Sequence, residues 1–189
     1  MTNNALDDFL DIFYQLKRES NDKRYGFDDN WKTFIKKIMF LSPKSYGTKI
    51  QNRIIEKNGL EVVKANEDKG DFKKLEQYYE IKTSFITVTN KNANITGIRP
   101  WQDINGYYIF IIDARILDNI KTYSFSLTKK EIEIELKELK AIPLNGTKKA
   151  NKGNKNLPLR FSLSLESKDF KRWTKNYLLN TNETIVKEL

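Results

Sequence analysis

The chain has neither cysteine nor histidine anywhere in its 189 residues. The lack of cysteine excludes disulfides, thiolate zinc sites and cysteine nucleophiles. The lack of histidine excludes a Ser-His-Asp triad, an HExxH zinc site and a one-metal nuclease centre built on imidazole. A hydrolase made from this sequence must therefore work with carboxylates, lysine and a hard cation. No uninterrupted apolar run approaches membrane-spanning length, so no membrane partner is expected. The N-terminus opens acidic (MTNNALDDFLDIF) instead of basic and then apolar. A secretory signal is thus not expected, and the expected location is the cytoplasm.

What the chain does contain is charge. Lys and Arg number 34 against 25 Asp and Glu, giving a formal charge of +9 that favours a polyanionic partner, nucleic acid first among them. An AT-rich coding sequence also yields a chain rich in Lys, Asn and Ile, so charge alone does not separate the two origins. With 39% hydrophobic residues and this length, one folded domain spanning 1–189 is the expectation.

Periodicity divides that domain. Leu6, Phe9, Leu10, Phe13 and Leu16 recur at helical spacing, as do Trp31, Phe34, Ile35 and Ile38, which makes residues 1–42 a helical N-terminal segment. A third helix runs from Pro43 to just before Gly59, burying Tyr46, Ile50, Ile54 and Ile55. Glu61 to Asn66 and Gln77 to Val88 then read as strands around a turn at Glu67-Asp68-Lys69-Gly70. Tyr107 to Asp113 (YYIFIID) is continuously apolar up to its final Asp, as a strand buried on both faces would be. Tyr123 to Leu127 is a further strand, and Thr128 with Glu131 has capping-box spacing for a helix over Lys129 to Lys140. Residues 145–158 read as a polar basic loop, Arg160 to Glu166 as a strand, and Ser167 as the cap of a last helix carrying Phe170, Trp173 and Tyr177. Trp101 and Trp173 are expected in the core. The order predicts an α/β domain built on a central sheet.

Chemistry concentrates in Gly70-Asp71-Phe72-Lys73-Lys74-Leu75-Glu76-Gln77-Tyr78-Tyr79-Glu80-Ile81-Lys82. On a strand Glu80 and Lys82 share one face, and the Gly-containing turn can fold Asp71 back beside them. Two carboxylates within reach of one oxygen-seeking cation are the minimum protein contribution to a magnesium site, and an adjacent lysine can position a water or stabilise a phosphoryl transition state. The bland alternative for such a spacing in a Lys- and Glu-rich chain is a solvated strand face.

This arrangement resembles the PD-(D/E)XK nuclease superfamily, with Asp71 as the first acid and Glu80-Ile81-Lys82 as the (D/E)XK tripeptide. Gly70 stands where the family has Pro. Members often carry an acidic residue on the preceding helix, four residues after a Gly; here Gly47 is followed at that distance by Gln51. At about 100° per residue Gln51 lies inward beside Ile54 and Ile55 while Glu56 faces away, so Gln51 is the expected contribution of the helix. The likeness covers roughly residues 43–115. It implies a restriction-endonuclease-like fold, a central mixed β-sheet flanked by helices, with a helical segment at 1–42, a catalytic core at 43–115, and strands, basic loop and helix at 116–189. It implies Mg2+ held by Asp71 and Glu80, with Mn2+ as a substitute, and catalysis by Asp71, Glu80, Lys82 and Gln51. It also implies a short helix over Ile98-Arg99-Pro100-Trp101-Gln102 leading into the YYIFIID strand.

Lys148, Lys149, Lys152 and Lys155, interleaved with Asn145, Asn151, Asn154 and Asn156, combine phosphate-neutralising charge with amides that can pair with adenine, while Arg99 and Arg160 can read guanine. The function expected from the resemblance is a type II restriction endonuclease, a homodimer cutting double-stranded DNA once per subunit. A structure-selective repair nuclease or junction resolvase of the same superfamily, and a noncatalytic DNA-binding protein, stand as the alternatives.

Overall fold

The computed structural model describes residues 22, 24–64, 69–144 and 157–179. The chain divides into two compact units, residues 1–53 and 54–189, with the boundary inside a helix.

In the first unit, helix α1 (Trp31–Ile38) begins where Asn30 Oδ1 accepts the Thr33 N–H at 2.9 Å, and it buries Phe34, Ile35 and Ile38 at helical spacing. Arg53 is itself buried. Its guanidinium donates to the carbonyls of Gly26 (2.7 Å) and Asp29 (2.6 Å) and lies over the Phe34 ring, 4.5 Å from its centroid. Helix α2 (Pro43–Lys57) carries the buried Ile50, Ile54 and Ile55, with Tyr46 half-buried.

The second unit holds two sheets. The larger has the order β1 (Glu61–Val62), β2 (Phe72–Lys74), β3 (Gln77–Ile86), β5 (Gly106–Asp113), β6 (Lys121–Thr128); β3 and β5 run parallel and the other neighbours antiparallel. The smaller has the order β4 (Asn92–Ile98), β8 (Leu159–Ser164), β7 (Ile142–Pro143), all antiparallel. The α/β class and the mixed central sheet are therefore as the sequence predicts. Every residue of β5 is buried, as its unbroken apolar run requires of a strand flanked on both edges and covered on both faces. Tyr107, Ile109 and Ile111 point from one face of β5 into the core with Phe125 and Leu127 of β6, Ile95 of β4 and Phe161 of β8. Tyr108 turns to the other face, against Phe72 and Tyr79.

Two helices close this core. Helix α3 (Lys129–Glu138) starts at the complete capping box of Thr128 and Glu131 and buries Ile132 and Leu136. Helix α4 (Lys168–Asn176) starts at Ser167, whose hydroxyl accepts the Phe170 N–H at 3.0 Å. One buried carboxylate locks the pair. Glu135 of α3 accepts from Arg172 Nη2 (2.6 Å), Trp173 Nε1 (2.8 Å) and the Tyr177 hydroxyl (3.0 Å).

Three expectations are revised. The stretch Arg99–Gln102 is a turn closed by the Gln102 N–H on the Arg99 carbonyl at 3.0 Å, not a helix; Pro100 fits position two of such a turn and offers no N–H to a helical ladder. Strands β2, β4 and β7 are additional to those read from periodicity. Of the expected strand over Glu61 to Asn66, Glu61–Val62 are strand and Val63 and Lys64 are not, while Ala65 and Asn66 lie outside the described residues.

Candidate active site

The site is built around β3. Its parallel register sets Glu80 beside Tyr107, Lys82 beside Ile109 and Ser84 beside Ile111, so the even-numbered residues of β3 face the core. That explains why Glu80 is only 6% exposed. Lys82 forms an ion pair with Glu80 Oε1, as the strand period requires of side chains two residues apart.

Asp71 reaches the same place from the next strand. Its N–H donates to the Tyr79 carbonyl at 2.8 Å, continuing the β2–β3 ladder by one step beyond Phe72. Its side chain then takes over the ladder, with Oδ2 accepting the Ile81 N–H at 2.7 Å. A strand residue presents its N–H and C=O to the same edge, so the Ile81 carbonyl faces the edge where Asp71 lies. Gly70 permits the approach: it has φ +82°, and a Cβ there would meet the Tyr79 carbonyl oxygen at 2.5 Å. Proline, fixed near φ −65°, has no place in this conformation.

The carboxylates feel one another. Burial first, and the nearby Glu80 second, push Asp71 up to about 6, against weaker opposing effects of the Ile81 N–H, Lys82 and Arg99. Burial and Glu80 likewise push the Tyr107 hydroxyl upward; that hydroxyl donates to the Arg99 carbonyl at 3.1 Å.

Gln102 is the residue that sequence reasoning missed as part of the site. It is 2% exposed, and its Nε2 donates to Glu80 Oε2 at 3.3 Å. Its Oε1 is buried without a hydrogen-bond partner. Its backbone carbonyl accepts from Lys129 Nζ at 2.8 Å, fixing the turn against the start of α3. Asp71, Glu80, Lys82, Gln102 and the approach of Arg99 thus converge on the middle of β3.

No known protein family and no curated protein matches this chain. Among the described residues no cluster of three acidic, histidine or cysteine side chains occurs. The oxygen donors brought together are instead the carboxylates of Asp71 and Glu80, with the Ile81 carbonyl on the edge where Asp71 lies. These are all hard oxygens, and a cation that keeps several of its waters needs only one or two carboxylates from the protein. Mutual repulsion of the two acids fits a cation there.

The other expected residues fall as follows. Gln51 is half-buried on α2 in the first unit, and Glu56 is exposed. Arg99 is exposed at the turn after β4, and Arg160 is exposed on β8. Lys148, Lys149, Asn151, Lys152, Asn154 and Lys155 lie outside the described residues. Trp173 is fully buried and Trp101 half-buried.

Proposed function

We propose that this protein is a magnesium-dependent endonuclease that hydrolyses phosphodiester bonds of double-stranded DNA, acting as a type II restriction endonuclease in homodimeric form. The observation that carries the reading is the convergence of Asp71 and Glu80, from adjacent strands, on one site that also holds the Lys82 ammonium. Asp71, Glu80 and the Ile81 carbonyl would hold the cation. A cation bound there lowers the pKa of a coordinated water and neutralises charge developing on the phosphate.

The chain's own residues supply the remaining work. Asp71 and Glu80 are oriented by the Ile81 N–H and the Gln102 amide. Lys82, on the same strand face, can orient the attacking water or donate to a non-bridging phosphate oxygen. Burial of Glu80 and Asp71 keeps those electrostatic effects strong. A net charge of +9 favours a phosphate polyanion as the substrate.

Incubation with plasmid DNA and Mg2+ tests the reading. Discrete linear fragments are expected. Nicking confined to branched DNA would move the assignment to a structure-selective nuclease, and binding without any cleavage would reduce the protein to a DNA-binding module.

A further inference from the structure

The small sheet separates its residues by alternation. On β4, Ala93, Ile95 and Ile98 are buried while Asn92, Asn94 and Thr96 are exposed; on β8, Phe161 and Leu163 are buried while Arg160 and Ser162 are exposed. The register sets Thr96 opposite Arg160 and Asn94 opposite Ser162, whose hydroxyl donates to Asn94 Oδ1 at 2.6 Å. These side chains, with Lys140 and Ile142, line a depression of about 440 Å³ that has no Asp or Glu in its lining. The face is cationic, rich in amide and hydroxyl groups, and not needed to fill the core.

Its position is set by the catalytic strand. The Asn94 N–H donates to Ser84 Oγ at 2.8 Å; a Cβ on Gly97 would stand 3.8 Å from Lys82 Nζ; and Gln102 donates to Glu80. The chain from β4 to Gln102 therefore runs along Ser84, Lys82 and Glu80 in turn. Ser84 and Lys82 are two residues apart on β3, roughly 7 Å at strand rise, which is about two base-pair steps of B-DNA. A duplex phosphate placed at Lys82 would have its neighbouring base pairs within reach of this face.

We propose that the exposed face of β4 and β8 reads base edges of duplex DNA, with Arg160, Asn94 and Thr96 as specificity-determining residues. Arg offers a fork that matches guanine N7 and O6, Asn matches adenine N7 and N6, and Thr contacts either a base edge or the thymine methyl. Two antiparallel strands fit the width of the major groove. The proposal rests on the nuclease reading, through the position of this face beside Ser84 and Lys82.

The test uses two readouts. In the first, the cleavage-dead Asp71→Asn protein selects binding sites from a pool of random duplexes, with and without Arg160→Ala, Arg160→Lys or the pair Asn94→Ala and Thr96→Ala. In the second, ends of genomic DNA fragments cut by the Asp71-intact proteins with Mg2+ are sequenced. A defined consensus for the parent is expected, with discrimination lost at least tenfold at one or two base pairs in Arg160→Ala and at others in the Asn94 and Thr96 pair. Arg160→Lys should retain affinity but not the consensus, since lysine keeps the charge and loses the fork. An unchanged consensus in folded variants, full specificity in Arg160→Lys, or no duplex binding by the parent would overturn the proposal. A consensus that these changes broaden, obtained from a protein that cuts nothing, would uphold the reading face and remove the nuclease.

Discussion

Asp71 completes the edge of strand β3 with its own side chain, accepting the Ile81 N–H at 2.7 Å through Oδ2 while its backbone N–H donates to Tyr79. One residue thus both ends the β2–β3 ladder and presents a carboxylate beside Glu80. Structure and chemistry at this position separate only if the charge is removed without the acceptor.

Asp71→Asn does that, because the amide oxygen can still accept from Ile81. Cleavage should fall about 100-fold or more, since charge stabilisation by a bound cation is worth several kcal/mol. The folded state should persist by circular dichroism. Normal cleavage by Asp71→Asn would remove Asp71 from the metal chemistry.

The raised Asp71 pKa gives a pH signature in metal-free protein. The folded state keeps the proton up to about pH 6, whereas the unfolded chain releases it near 3.8. Between those values the folded protein binds more protons, so this group's contribution to stability falls as pH rises and is fully lost above about 6. Thermal melts from pH 4 to 7.5 should show that slope, reduced in Asp71→Asn. Mg2+ should in turn raise the melting temperature more at pH 7.5 than at pH 5, because protons compete for the same carboxylate. Equal metal-induced shifts at the two pH values would argue against Asp71 as a ligand.

Lys82→Ala should lose roughly 100-fold or more in single-turnover cleavage, the range for a positioned proton-handling group. Titration calorimetry should still report cation binding, because the amine acts on water or phosphate and does not coordinate. Loss of cation binding with normal turnover in excess metal would reverse that assignment.

Gln102→Leu preserves bulk and removes the amide that holds Glu80. A loss of about 10- to 100-fold in cation affinity is expected, as for other groups that orient a ligand from behind. The Lys129 contact uses the backbone carbonyl and should survive, so the melting temperature without metal is the control. Unaltered affinity in the Leu variant would make Gln102 a packing residue only.

Glu135→Ala should destabilise the second unit by about 3 kcal/mol, since it strips partners from the fully buried Trp173 indole and from Arg172. Chemical denaturation measures this directly. A change below about 1 kcal/mol would mean that water replaces the carboxylate without cost.

Much of this was legible from residues alone. The apolar run of β5, the Thr128 and Glu131 cap and the Glu80–Lys82 face each depend on neighbours close in sequence, where strand and helix periods act directly. Strand β2 was not legible, because its hairpin turns at Leu75 and Glu76 with φ of 50° and 61°, where Asn-Gly would have announced it. Strand β4 hides its alternation behind Asn residues and a register shift between Thr96 and Ile98, with Gly97 at φ +73°. Gln102 carries no local signal at all. Its importance comes from meeting a carboxylate 22 positions away, which only the fold arranges.

The alternation of β4 and β8 has an evolutionary corollary. Asn94, Thr96, Arg160 and Ser162 stand outside the packed interior, so exchanges there should typically change stability by no more than about half a kcal/mol. Strand β3 enjoys no such latitude, because Glu80 and Ser84 are buried and Lys82 is ion-paired to Glu80. Descendants of this scaffold could therefore drift in what they recognise while their chemistry stays fixed, and natural variants should differ most at these four outward positions.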